Sequence, residues 1–298
     1  MSRTRKISYL DSYRGTGPAR PAPVPVKAIA VTGGKGGVGK SVICANLAVA
    51  LAEESRRVLL FDADFGLANA DLLLGLSPRT TLRDVVRSRA SLKDAVAVGP
   101  AGIGLVPGAS GFSDMANLST AEQAAVINGF NELEDGYEVL CVDTASGVSD
   151  AVIRVAAAAH HVLVVVCDEP TSLADAYAII KVLNAEQGID RFQIVTNMSH
   201  DGAGSSAYEK LRRVAERFLP VVLYHAGAVP FDARMSNAVR SRKPLVTAYP
   251  RSLATLALRR LARRVDALSV PSVPRGNLEF FAERLLTRPQ GPRGELAS

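Results

Sequence analysis

The sequence predicts an α/β fold in which a mostly parallel, doubly wound sheet is flanked by helices. Three observations lead there. Short apolar runs alternate with helical patterns along most of the 298 residues, the order that builds parallel strands joined by crossover helices. A glycine-rich loop, Gly33-Gly34-Lys35-Gly36-Gly37-Val38-Gly39-Lys40-Ser41, joins the first such run to the first helix. Two later runs end in Asp62 and Asp143, where open α/β sheets take their ligands.

Taken in order, residues 1–25 lack periodicity and hold Gly15-Thr16-Gly17-Pro18 and Pro21-Ala22-Pro23-Val24-Pro25, which reads as a flexible, basic, Pro-rich tail. Val26–Thr32 is apolar enough for a buried strand, and Val42–Glu53 has the length and composition of a helix. Arg57–Phe61 is the next strand, running into Asp62-Ala63-Asp64-Phe65-Gly66-Leu67-Ala68-Asn69. Thr80–Arg87 and Ser91–Val96 read as short helices, and 104–108 as a short strand. Ser119 and Glu122 form a capping box that opens a helix to about Glu134. Tyr137–Val142 is a strand ending at Asp143, and Ser149 caps an alanine-rich helix. Val162–Val166 is the most apolar strand and is expected inside the sheet. A helix through Asn184 follows Asp168-Glu169-Pro170-Thr171-Ser172. Arg191–Asn197 and Val221–Val229 are strands separated by a helix over Ser205–Phe218, and Ser252–Leu268 is an Arg-rich helix. One large domain over 26–270 results, with a tail over 271–298 whose segment 277–288 is expected to be an amphipathic helix.

Composition narrows the chemistry. Apolar residues make up 48% and charged ones 21%, which suits a folded chain. Cys44, Cys141 and Cys167 are far apart and read as buried free thiols in a reducing compartment, with no Cys/His cluster for zinc or iron–sulfur. His160 and His161 suit helix capping better than metal ligation. No apolar run approaches a membrane span. The net charge of +6 is uneven: residues 1–27 and 251–298 each carry +5, leaving −4 in between. Basic ends suit contact with lipid or nucleic acid, or serve solubility.

The loop fits G-x-x-x-x-G-K-[ST] from Gly34 to Ser41. Glycines let successive backbone amides turn around an anion, and the following helix adds its dipole. Gly34 to Val42 is therefore the expected phosphate site, with Lys40 reaching the β- and γ-phosphates and Ser41 ligating Mg²⁺. An apolar strand ending in Asp143 reads as the second metal-side carboxylate of such a site. Lys35 is odd: two lysines this close repel, so Lys35 makes sense if it reaches a phosphate on another subunit.

On Lys35-Gly36-Gly37-Val38-Gly39-Lys40-Ser41 the chain resembles the deviant Walker A ATPases of the MinD/ParA group. Segments 62–71, 142–147, 167–177, 249–252 and 274–281 narrow the resemblance to the FleN/FlhG family of MinD-like regulators of flagellar number, over about residues 26–288. The resemblance implies a slow ATPase using ATP/ADP and Mg²⁺ that forms a homodimer with ATP. It implies catalytic roles for Lys40, for Lys35 in trans and for Asp64, which would position the attacking water. Asp62 would support the metal shell with Ser41 and Asp143. Glu169 would meet ribose or the dimer interface, and Asn197, Pro230, Phe231 and Asp232 would frame adenine. The implied partners are a FleQ-like AAA+ transcription activator, which the protein would antagonise, an FlhF-like GTPase and flagellar C-ring proteins. Residues 1–25 lack the Gln-containing activator motif of many relatives, which sets FlhF stimulation apart from the other expectations. The 277–288 segment would allow peripheral membrane contact by a cytoplasmic protein. Two rival readings are a ParA-type partitioning ATPase, using the arginines of 251–264 on DNA, and a nucleotide-bound scaffold without useful hydrolysis.

Overall fold

In the computed structural model the described residues are 26–109, 118–133, 136–200, 204–271 and 279–281. They build an eight-stranded sheet from β1 (Lys27–Thr32), β2 (Val58–Ala63), β3 (Ala97–Val98), β4 (Gly104–Val106), β5 (Val139–Thr144), β6 (His161–Val166), β7 (Arg191–Ser199) and β8 (Val222–Pro230). The strand order is β3-β4-β2-β5-β1-β6-β7-β8. Every pairing is parallel except β3 with β4. The expected α/β class holds. The very short antiparallel β3 at one edge was not expected, because two residues carry no readable period.

Helices α1 (Lys40–Glu53), α2 (Ala70–Leu74), α3 (Leu82–Val86), α4 (Thr120–Gly129), α5 (Asp150–Ala157), α6 (Pro170–Gln187), α7 (Ser205–Phe218), α8 (Arg234–Arg240), α9 (Leu245–Ala248) and α10 (Leu253–Asp266) surround it. Their ends follow local chemistry. Ser119 accepts from the Glu122 amide while Glu122 accepts from that of Ser119, the expected box at α4. Ser252 accepts from the Thr255 amide at α10. Pro170 opens α6, and Gly188 closes it at φ 67°. The segment expected as a helix over 91–96 is only a 3₁₀ turn at Lys93–Ala95. The short α2, α8 and α9 went unread because each spans two turns or fewer.

The strands alternate between two cores. Ala28, Ala30, Leu59, Phe61, Leu140 and Val142 face α4, α5, α6 and α7, while Ile29, Val31, Leu60 and Cys141 face α1 and α10. A sheet covered on both faces needs strands apolar at every position, and β1, β2 and β5 are buried along their whole length. Val162–Val166 lies inside the sheet as expected, beside β1. All three cysteines are buried and free. The His160 ring does not cap its helix; its Nδ1 accepts from the Ala28 amide of β1 at 3.0 Å.

Residues 1–25 and most of the 277–288 segment lie outside the described residues. Its described part, Glu279–Phe281, forms a turn rather than helix, with Phe281 at φ 56°. Phe280 and Phe281 are fully buried. Phe280 packs edge-on to Phe130 at 5.0 Å and to Phe61 at 6.2 Å, and Phe281 to Phe130 at 6.0 Å. Their apolarity is used inside the protein.

Candidate phosphate-binding site

The site lies at the carboxyl ends of β1, β2, β5 and β6, where the Gly33–Gly39 loop turns into α1. Gly39 is the N-cap of α1 at φ 89°, and no side chain caps the helix. The first turn holds no acidic residue. An N-terminus left open in this way favours an anion. Two glycines are obligatory on steric grounds. A Cβ on Gly39 would come within 2.4 Å of Asn197 Nδ2, and one on Gly34 within 2.2 Å of the Asp175 carbonyl in α6. The loop is thus wedged between β7 and α6.

Lys40 is buried, and its Nζ donates to Ser146 Oγ at 2.6 Å and to the Lys35 carbonyl at 3.4 Å. Burial lowers its pKa, against the pull of Asp143 and Asp64. Asp62 and Asp143 are register partners on adjacent parallel strands, and both are about 1% exposed. Asp62 accepts from the amides of Asp64, Asn69 and Ala70 at 3.2, 2.8 and 2.8 Å. Burial nevertheless pushes it up to about 6. Neither oxygen of Asp143 has a hydrogen bond of ordinary geometry. Burial first, then the neighbouring Asp62, raises its pKa well above the carboxylate range, while nearby Ser41 and Lys40 oppose the rise. Asp64 Oδ1 accepts from Gly66 and Leu67 amides, so this carboxylate shapes the turn that displays it.

Buried carboxylate oxygens without a partner are costly unless something binds there. A hydroxyl, a cation and two carboxylates around an open helix N-terminus are what a Mg²⁺–phosphate group requires. Among the described residues no three His, Cys, Asp or Glu side chains converge to hold a metal unaided. Mg²⁺ at Ser41, Asp62 and Asp143 would therefore need phosphate oxygens and water to complete its shell.

The remaining expected residues divide into two groups. Asn197, Pro230, Phe231 and Asp232 come together with Gly39, Val42, Met198 and Met235 around a pocket of about 110 Å³. Asn197 Nδ2 donates to the Val38 carbonyl at 2.8 Å. Phe231 is 60% exposed and stacks on His200 at 5.5 Å, an open aromatic face at the pocket's edge. Glu169 stands apart on the other flank. It pairs with Lys35 Nζ at 2.5 Å, and Lys35 also donates to Thr171 at 3.0 Å. Within the single chain Lys35 thus turns to the start of α6, and the hydrogen bond it donates to Glu169 raises its pKa. Larger hollows exist, such as the one of about 650 Å³ between α3 and α4. None of its lining comes from the loop, and phosphate recognition depends on amides and charge rather than volume. Sequence reasoning missed the Ser146 side chain, which meets Lys40 across a long sequence separation, and Met198, Met235 and His200, which carry no motif of their own.

Comparison with known proteins agrees with this geometry. Residues 29–245 match the family model described as the CobQ/CobB/MinD/ParA nucleotide binding domain. The chain is 49% identical to the antiactivator FleN of Pseudomonas aeruginosa over 89% of this chain and 95% of that protein. It is 31% identical to the flagellum site-determining protein YlxH of Helicobacter pylori, over 87% of this chain and 90% of that one. Among solved structures, the cell division ATPase MinD of Pyrococcus furiosus superposes with a TM-score of 0.69 at 25% identity, covering 82% of this chain and all of the other.

Proposed function

From the premise that this chain belongs to the CobQ/CobB/MinD/ParA nucleotide-binding family, and within it to the FleN group, we propose that it is an ATP-dependent dimerising switch that limits flagellar number. The ATP-bound dimer antagonises a FleQ-like AAA+ transcription activator, and hydrolysis to ADP resets it. The observation that supports this best is the buried Asp143 carboxylate set behind Lys40 and Ser41 at an open helix N-terminus.

In this reading Gly34 to Val42 wrap the phosphates and Lys40 offsets their charge. Ser41 ligates Mg²⁺, with Asp143 and Asp62 behind it. The metal neutralises charge on the phosphate oxygens, so the protein's task is positioning. Asp64 orients the attacking water at the tip of its turn. The 110 Å³ pocket with Asn197, Phe231 and Asp232 takes the base. Lys35 leaves Glu169 to reach the partner subunit's phosphates, which frees Glu169 for ribose or the dimer interface. An FlhF-like GTPase and C-ring proteins are further partners under this proposal. Membrane contact would be peripheral, since no helix of the described residues is long and apolar enough to cross a bilayer.

The decisive measurement is the mass in solution with ADP and with ATP, for wild type and Asp64→Ala. A monomer with ADP that becomes a dimer with ATP, and stays one in Asp64→Ala, supports the switch. A monomer throughout, or a Lys40→Ala variant that still dimerises with ATP, overturns it. Co-purification of the ATP-locked Asp64→Ala dimer with a FleQ-like activator tests the partner. The DNA-partitioning alternative is weakened by the arginines it would use. Arg259 and Arg263 pair with Glu53 and Glu54 at 2.8 and 3.3 Å, and Arg264 donates to the Ala226 carbonyl. Salt-sensitive DNA binding that appears only with ATP would restore it.

A further inference from the structure

We propose that the Ser146 hydroxyl is the resting partner of Lys40 and yields it to an incoming nucleotide phosphate, so that Ser146 couples phosphate binding to release of the loop after β5. This rests on the nucleotide reading given above. The Lys40 ammonium is buried, and it needs lone pairs to replace the water it has lost. Ser146 Oγ supplies the short one, at 2.6 Å; the Lys35 carbonyl at 3.4 Å is the weaker second. The hydroxyl stands close over the phosphate loop, where a Cβ on Gly36 would lie 3.8 Å from it.

A phosphate carrying two or more negative charges is a better acceptor for an ammonium than a neutral hydroxyl. Binding therefore draws Lys40 away from Ser146. The segment that loses this tether is built to move. Gly147 turns at φ 95°, nothing lies within 4 Å of the space beside it, and the next residue, Val148, is 45% exposed. Ser146 is thus a positioning residue for Lys40, and its loop carries an apolar side chain whose placement changes with occupancy.

The experiment titrates ADP with Mg²⁺ by calorimetry into the full chain as wild type, Ser146→Ala and Ser146→Thr, and follows backbone amide exchange of 145–149 without nucleotide. Loss of the competing hydroxyl is expected to tighten ADP binding roughly 3- to 10-fold in Ser146→Ala. Ser146→Thr keeps the hydroxyl and should stay within about twofold of wild type. Exchange at Gly147 and Val148 in nucleotide-free Ser146→Ala should rise to the level that wild type reaches with ADP. Unchanged or weaker ADP binding in Ser146→Ala overturns the proposal, since weaker binding would mean that the hydroxyl serves the phosphate directly. If wild type binds no nucleotide, the functional reading above falls. The exchange of nucleotide-free Ser146→Ala then decides the tether alone: faster exchange upholds it and unchanged exchange removes it.

Discussion

The loops after β2 and β5 start from the same place and end differently. Asp62 and Asp143 sit opposite each other on neighbouring parallel strands, equally buried. Asp62 is surrounded by three backbone amides of its own loop, whereas Asp143 receives no backbone amide bond and faces the side chains of Ser41 and Lys40. One carboxylate builds the loop that presents Asp64. The other stands beside the serine and lysine that end the glycine loop. Two residues of one type at one depth thus differ in their hydrogen bonds: Asp62 is tied into its own loop, and Asp143 faces the start of α1.

Substitution should expose that division most sharply in turnover. Asp143→Asn is expected to lower ATP hydrolysis by roughly 100-fold or more while leaving stability to denaturant equal or higher, because a buried charge is removed. A variant that unfolded more easily than wild type would mean that Asp143 is structural after all. Asp62→Ala should cost stability as well as turnover. Three amides lose their acceptor, so urea denaturation should report a loss of about 2–4 kcal/mol.

A weaker contrast lies in pH. Burial raises folded Asp62 from 3.8 to about 6, so between these values the folded chain holds a proton that the unfolded chain has released. The stability from this group therefore falls as pH rises from about 4 to about 6, and is level above. Burial also raises Asp143, so its contribution likewise falls as pH rises above the ordinary carboxylate value. Denaturation midpoints of Asp143→Asn should therefore fall less with rising pH than those of wild type; equal slopes would remove Asp143 as a source. The smallest effect concerns Lys35. Its exposed pair with Glu169 is screened by solvent and contributes little, so Lys35→Ala should keep its stability and lose only ATP-dependent dimerisation. A dimer that survived in Lys35→Ala would confine this lysine to its own chain.

What the sequence made legible was what is encoded locally. The glycine spacing with Lys40 and Ser41, the aspartate at the end of each strand and the Ser119–Glu122 box are each written within a few residues, and each appears where expected. The strand order and the contacts it creates were not legible. Lys40 meets Ser146, Gly39 fits against Asn197 and Lys35 meets Glu169 only because β5, β6 and β7 fall on particular sides of β1. Nor could periodicity tell what covers an apolar stretch. Phe280 and Phe281 fall in the segment read as an amphipathic helix, one that could lie on a membrane or dock on its own domain, yet they lie in a turn against Phe130.

That turn has a consequence for anyone who handles the protein. Phe280 leans on Phe61, whose ring also meets Phe65 at 6.2 Å, and Asp62 and Asp64 flank these two positions. The last described residues of the chain are therefore a keystone under the loop that displays Asp64. Shortening the chain before residue 280, whether by design or by a protease, would open a void beside the most buried part of the site. A slow preparation then reports the loss of these residues rather than the chemistry of its nucleotide loop, and intact-mass measurement belongs before any kinetic comparison between batches.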